Sequence, residues 1–112
     1  ERHFHDSIGV AADWRRPDPG WETPYRALIP GDVDGLLAAG RCIGTSGDAW
    51  EIYRVIPAAV MTGEAAGTAA ALSVQSGRLP HELDVRLLQQ QLETQHCKLF
   101  RNAGPQPGSC PE

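Results

Sequence analysis

The sequence predicts an α/β fold, and three features carry that expectation. A β-branched apolar stretch lies near the start, a continuous apolar run of strand length follows, and two helix-forming stretches close the chain. Residues 4–14, "FHDSIGVAADW", are bounded by polar residues and predict a strand. "RRPDPGWETP" predicts a loop, because its three prolines and one glycine oppose regular structure. "YRALIP" predicts a short extended segment ended by Pro30, and "GDVDG" a turn. "LLAAG", Leu36–Gly40, is apolar without alternation, as expected of a parallel strand covered on both faces. "RCIGTSGDAWEIY" is then a connection with small flexible positions at Gly44, Ser46 and Gly47.

Pro57 suits the first turn of a helix, where its missing N–H costs nothing. Good helix formers run from there to Ser76, and Gly77 is placed as the stop. Asp84 predicts the N-cap of a second helix. Its apolar stripe is Val85, Leu88 and Leu92, and it ends near Gln95. Residues 96–112 have no apolar periodicity, and the expectation is a disordered tail.

The helix from Pro57 is unusual in its side chains. Gly63, Gly67 and Ala71 recur every four residues and share one face, with Ala59 and Ala66 beside it. Such a face fits a transmembrane dimerisation surface, a tight sheet–helix layer, or a helix whose N-terminus is aimed at a ligand. Glu64, Pro57, Thr62 and Thr68 oppose membrane insertion, so no span is expected. The other two readings are compatible. In the layered reading, Gly63 and Gly67 bring the helix close to a sheet.

Composition narrows the function further. The chain has 112 residues, 41% of them hydrophobic and 21% charged, with 12 glycines and 9 prolines. The net charge of −4 argues against nucleic acid. The adjacent arginines of "DWRRPDPGW" do not alter this, since acids flank them. Cys42, Cys97 and Cys110 form an odd, widely spaced set that favours a reducing compartment, so a cytoplasmic location is the expectation. His3 and His5 could share a strand face, but no further ligands lie near them in sequence, so no metal site is expected. The chain begins at Glu1 and its only methionine is Met61, and the expectation is a piece of something longer.

The run "PYRALIPGDVDGLLAAGRCIGTSGDAWEIYRVIPAAVMTGEAAGTAAAL", followed by "LDVRLLQQQL", resembles the C-terminal part of the FAD-dependent oxidoreductase family. The likeness covers about residues 6–95, and its strength lies in linked motifs at gap-free spacing. More distantly the chain is similar to the fumarate reductase and succinate dehydrogenase flavoproteins. The resemblance implies an α/β fragment: "LLAAG" as the last parallel strand of a Rossmann-like FAD domain, then the small-residue helix, with a short β segment and a C-terminal helix. It divides the chain into a β segment of the substrate domain with a linker (1–30), the C-terminal part of the FAD-binding domain (31–95) and the tail.

The same resemblance implies FAD as cofactor. Gly40 and Arg41 would lie against its ribityl–pyrophosphate part, and Arg54, Val55 and Ile56 would face the flavin. The N–H groups of Val55 and Ile56 would point at the pyrimidine edge, where a helix N-terminus stabilises the charge that develops on reduction. Tyr25 and Arg26 are candidates for the side of a small-molecule substrate, with packing as the rival role for Tyr25. A surface ion pair with Glu51 is the rival role for Arg54. Function would then be hydride transfer between a substrate C–H bond and the flavin N5. This segment would position and tune the flavin, and the rest of the parent flavoprotein chain would be its partner. Residues 1–112 alone are expected to be inactive. The alternative is a non-catalytic remnant or an interaction module that packs its small-residue helix against a partner chain.

Two departures from the family pattern stand out. Relatives in this branch often carry a T-H-E-A-like sequence where this chain has "SGDA", with Gly47 at the histidine position and Asp48 at the acid. No G-x-G-x-x-G occurs in these residues, so the motif for the pyrophosphate half of the cofactor is not among them. No catalytic residue is assigned.

Overall fold

Ser7–Ala11 forms strand β1 and Trp21–Pro24 forms strand β2 in a computed structural model that describes residues 3–11, 20–45 and 53–100. The two strands pair antiparallel, with Ser7 opposite Pro24, Val10 opposite Glu22 and Ala11 opposite Trp21, and an irregularity between Ser7 and Val10. β1 lies within the predicted 4–14 strand. β2 corrects the expected loop. Trp21 and Thr23 favour a pleated surface, and Pro24 sits at the strand end, where its missing donor is tolerated. Pairing with β1 decides the matter. On the edge away from β2, the carboxamide of Gln89 donates to the carbonyls of His5 and Ser7, both at 2.9 Å.

Tyr25–Leu28 is a 3-10 turn rather than an extended segment. Pro24 ends the strand, and Tyr25 and Leu28, three residues apart, are both buried on one side of the turn. Leu36–Ala39 also departs from expectation. It forms no strand, and Leu36 is 49% exposed. The Ala38 N–H donates to the Leu28 carbonyl at 2.8 Å, but no strand among the described residues flanks the run. A parallel strand takes its stability from neighbours on both sides. Gly35 and Gly40, both left-handed (φ 78° and 77°), bend the chain at its ends.

Helix α1 spans Ile56–Ser76, with Pro57 in its first turn and Gly77 (φ 71°) closing it, as the sequence predicts. Its buried face is Ala58, Thr62, Ala65, Ala69 and Ser73. This corrects the glycine assignment. A methyl group added at Gly63 or Gly67 would meet nothing within 4 Å. Both glycines lie on the exposed face, as do Ile56, Val60 and Val74. The close approach of helix and strand is made from the strand: Gly9 of β1 lies directly under the Met61 side chain.

Helix α2 spans Val85–Thr94, and the Asp84 carboxylate accepts the Arg86 N–H at 3.0 Å. Such a cap contributes about 1 kcal/mol. Leu88 and Leu92 are fully buried, while Val85 is half-buried. His96 (φ 69°) ends the helix, with the Cys97 N–H donating to the Leu92 carbonyl at 3.0 Å. The expected disorder from residue 96 does not hold for its first residues. Leu99 is buried, its carbonyl accepts the Ser7 hydroxyl, and the Phe100 ring lies 5.3 Å from that of His3. Leu99 joins the core, and the Phe100 side chain packs against it. Residues 101–112 lie outside the described residues. The core joins Ile8, Tyr25, Leu28, Tyr53, Leu88, Leu92 and Leu99 to the alanine face of α1.

Candidate functional site

Gly40 opens a 3-10 turn, Gly40–Cys42, beside the first two turns of α1. Its N–H donates to the Thr62 hydroxyl at 2.8 Å, and a side-chain carbon placed on it would stand 4.0 Å from the Ala59 methyl. Thr62 in turn donates to the Ala58 carbonyl at 2.9 Å, with the Ala59 carbonyl at 3.2 Å. Arg41 follows on the exposed side of the turn.

α1 begins without a side-chain cap. Val55 is extended (φ −97°, ψ 163°), has no side-chain acceptor, and its carbonyl receives the Ala59 N–H at 3.2 Å. Pro57 brings no donor to this end. Val55 and Ile56 are exposed, as is Arg54. The helix therefore presents the positive end of its dipole on the surface, with the bare Gly40 turn packed beside the first turns. A helix start of this kind, with an arginine on the neighbouring turn, has donor chemistry that suits an electron-rich or anionic group, while the Gly40 amide itself is taken by Thr62.

The candidate substrate residues have partners within the fold. The Tyr25 hydroxyl donates to the Pro80 carbonyl at 2.8 Å, and burial pushes its pKa up to about 12. Arg26 bonds the buried Asp6 carboxylate at 2.8 Å, and its guanidinium lies 5.1 Å from the centre of the Phe4 ring. Tyr25 is thus buried and hydrogen-bonded within the fold. Gly47 and Asp48, where the chain departs from the family pattern, lie outside the described residues, as does Glu51, the rival partner of Arg54.

Several polar residues escaped the sequence reading. The buried Glu22 accepts the Phe4 N–H at 2.8 Å and lies 3.1 Å from His3 Nδ1. Thr23 and the Tyr53 hydroxyl bond to each other, and burial, partly offset by that bond, raises the tyrosine pKa. Thr62 was the most legible of these. A threonine four residues after Ala58 and three before Ala65, in a run of alanines, is the polar member of a repeating face.

Two cysteines are described, and they differ. Burial, then the neighbouring Glu64, pushes the Cys97 thiol up to about 12, whereas Cys42 is exposed with its thiol donating to the Ala39 carbonyl at 3.1 Å. The thiolate is the reactive form, so the raised pKa keeps Cys97 largely in its unreactive thiol form at pH 8. Iodoacetamide at pH 8 is expected to label Cys42 at least about tenfold faster than Cys97, read by peptide mass spectrometry. Equal rates would show that Cys97 is no better shielded from solvent than Cys42. Among the described residues, no group of three His, Cys, Asp or Glu side chains could hold a metal ion, and no helix is long and apolar enough to cross a membrane.

The described residues form a small α/β unit, one two-stranded sheet with two helices, compatible with part of an FAD-binding domain. The family model described as FAD dependent oxidoreductase matches residues 2–92. The chain belongs to that family. Neither a protein of curated function nor a solved structure matches it.

Proposed function

We propose that this chain is the C-terminal part of an FAD-dependent oxidoreductase, in which the Gly40 turn and the start of α1 hold the flavin end of the cofactor. The observation that carries this reading is the Gly40–Cys42 turn packed on the first turns of a helix that has no side-chain cap. Gly40 and Arg41 would take the ribityl–pyrophosphate region, and the amides of Val55 and Ile56 the pyrimidine edge, with Arg54 beside them. Bound FAD would supply the acceptor for a hydride from a substrate C–H bond. The residues of this chain orient it and stabilise negative charge with the positive end of α1. Arg41 adds a guanidinium suited to phosphate.

The outer face of α1 supports a covering partner. Ile56, Val60 and Val74 are 72%, 63% and 83% exposed, and Gly63 and Gly67 beside them leave room for close approach. A helix apolar on both faces is characteristic of one enclosed in a larger body. In this reading the rest of the flavoprotein covers it. The same face also favours the alternative, an interaction module whose partner is another chain.

Titration with FAD separates the two. The protein, expressed from its complete coding frame, is expected to quench FAD fluorescence on binding. Arg41→Ala is expected to weaken binding about tenfold, the value of a charge-assisted contact. Absence of any FAD binding by the unaltered protein would end the flavoenzyme reading and leave the interaction module.

A further inference from the structure

We propose that Thr62 is a positioning residue of the cofactor site, acting through Gly40. The inference rests on the flavin reading above. Thr62 has no exposed surface, and its single hydroxyl makes two kinds of bond at once. It donates back to the Ala58 carbonyl at 2.9 Å, the usual bond of a helical threonine, and it accepts the Gly40 N–H at 2.8 Å. Because the hydroxyl proton is committed to the helix, an oxygen lone pair is left to face the Gly40 amide. The buried residues flanking Thr62 on this face, Ala58 and Ala65, have no side-chain acceptor to replace it.

The consequence is directional. Gly40 is left-handed (φ 77°), and the peptide that follows it sets where Arg41 leaves the turn. One hydrogen bond from the second turn of α1 therefore fixes the glycine turn relative to the helix start, the two elements assigned to the cofactor. A latch of this kind holds the turn ready before ligand arrives, so losing it lowers affinity through preorganisation, with no contact to the ligand removed. Valine matches threonine in shape but has no acceptor, whereas serine keeps the hydroxyl.

The test uses the protein from its complete coding frame, with two readouts. Thr62→Val is expected to weaken FAD binding about tenfold, equivalent to ~1.4 kcal/mol, while Thr62→Ser stays within about threefold of the unaltered protein. In ligand-free protein, exchange of the Gly40 amide with deuterium is expected to be slow. It should quicken at least about tenfold in Thr62→Val and be restored in Thr62→Ser, while amides of α2 do not change. Equal FAD affinity of Thr62→Val and the unaltered protein would overturn the proposal and leave the flavin reading standing. If FAD does not bind at all while Gly40 exchange responds as described, the flavin reading falls and only the latch remains. Should Thr62→Val fail to fold, an unprotected Gly40 amide in the unaltered protein, or in Thr62→Ser, is enough to reject the latch.

Discussion

Leu88→Ala is expected to destabilise the chain by about 2–5 kcal/mol, seen as a fall in the urea midpoint with unchanged slope. Leu88 has no exposed surface, and its neighbour one turn on, Leu92, is equally enclosed. Truncation removes a side chain that holds α2 to the core and leaves a cavity that the flanking structure fills only in part. A domain of this size has a total stability of about 5–15 kcal/mol, so the loss is a large share of it. The same helix provides the control. Leu87 is 52% exposed, and Leu87→Ala should stay within about 0.5 kcal/mol. Equal losses at the two positions would mean that α2 does not present the face described here. The effect should extend beyond the helix, because the adjacent Gln89 holds the carbonyls of His5 and Ser7 at the start of β1.

Helix α2 was legible because its signals are local. Asp84 caps it, and an apolar stripe against a polar background states which side faces inward. The ends of α1 were legible for the same reason, through Pro57 and Gly77. The orientation of α1 was not. Alanines, glycines and valines surround it, so periodicity offers no polar face to assign to solvent, and the four-residue spacing of the glycines points them inward. The structure buries Ala58, Thr62, Ala65, Ala69 and Ser73 instead. Steric room is a property of both partners, and the residue that provides it is Gly9, on the strand.

Strand readings failed where partners decide. "WETP" became a strand because β1 lies beside it, and "LLAAG" did not because no described strand flanks it. β structure is settled by neighbours remote in sequence, which local propensity does not record. The candidate site divides in the same way. The Gly40 turn and the start of α1 were named from the family resemblance, and the structure sets Gly40 against the helix through Thr62. That bond joins residues 22 apart, and no local motif announces it. Tyr25 and Arg26 carried no local sign that Pro80 and Asp6 would occupy them.

Gly9→Leu is expected to be the most damaging substitution on the sheet, costing about 3 kcal/mol or more through overpacking. A first side-chain carbon at Gly9 would already collide with Sδ and Cγ of Met61, with Cε at 3.4 Å. The colliding atoms include the middle of the methionine side chain, so rotating its tip does not clear the space. The start of β1 is also tied to Gln89 and Leu99, through the Ser7 carbonyl and hydroxyl, which limits how far the strand can shift. Gly9→Ala should therefore cost less than leucine but remain measurable, at about 1–3 kcal/mol. The cause is checked by a second substitution. Met61→Ala opens the space above Gly9, and the double variant Gly9→Leu/Met61→Ala should be more stable than the sum of the single losses by about 1–3 kcal/mol. Strict additivity would place the contact between β1 and α1 elsewhere. Gly67→Ala, with open space around the added methyl, should show no such loss. That contrast decides which glycine brings the helix and the strand together.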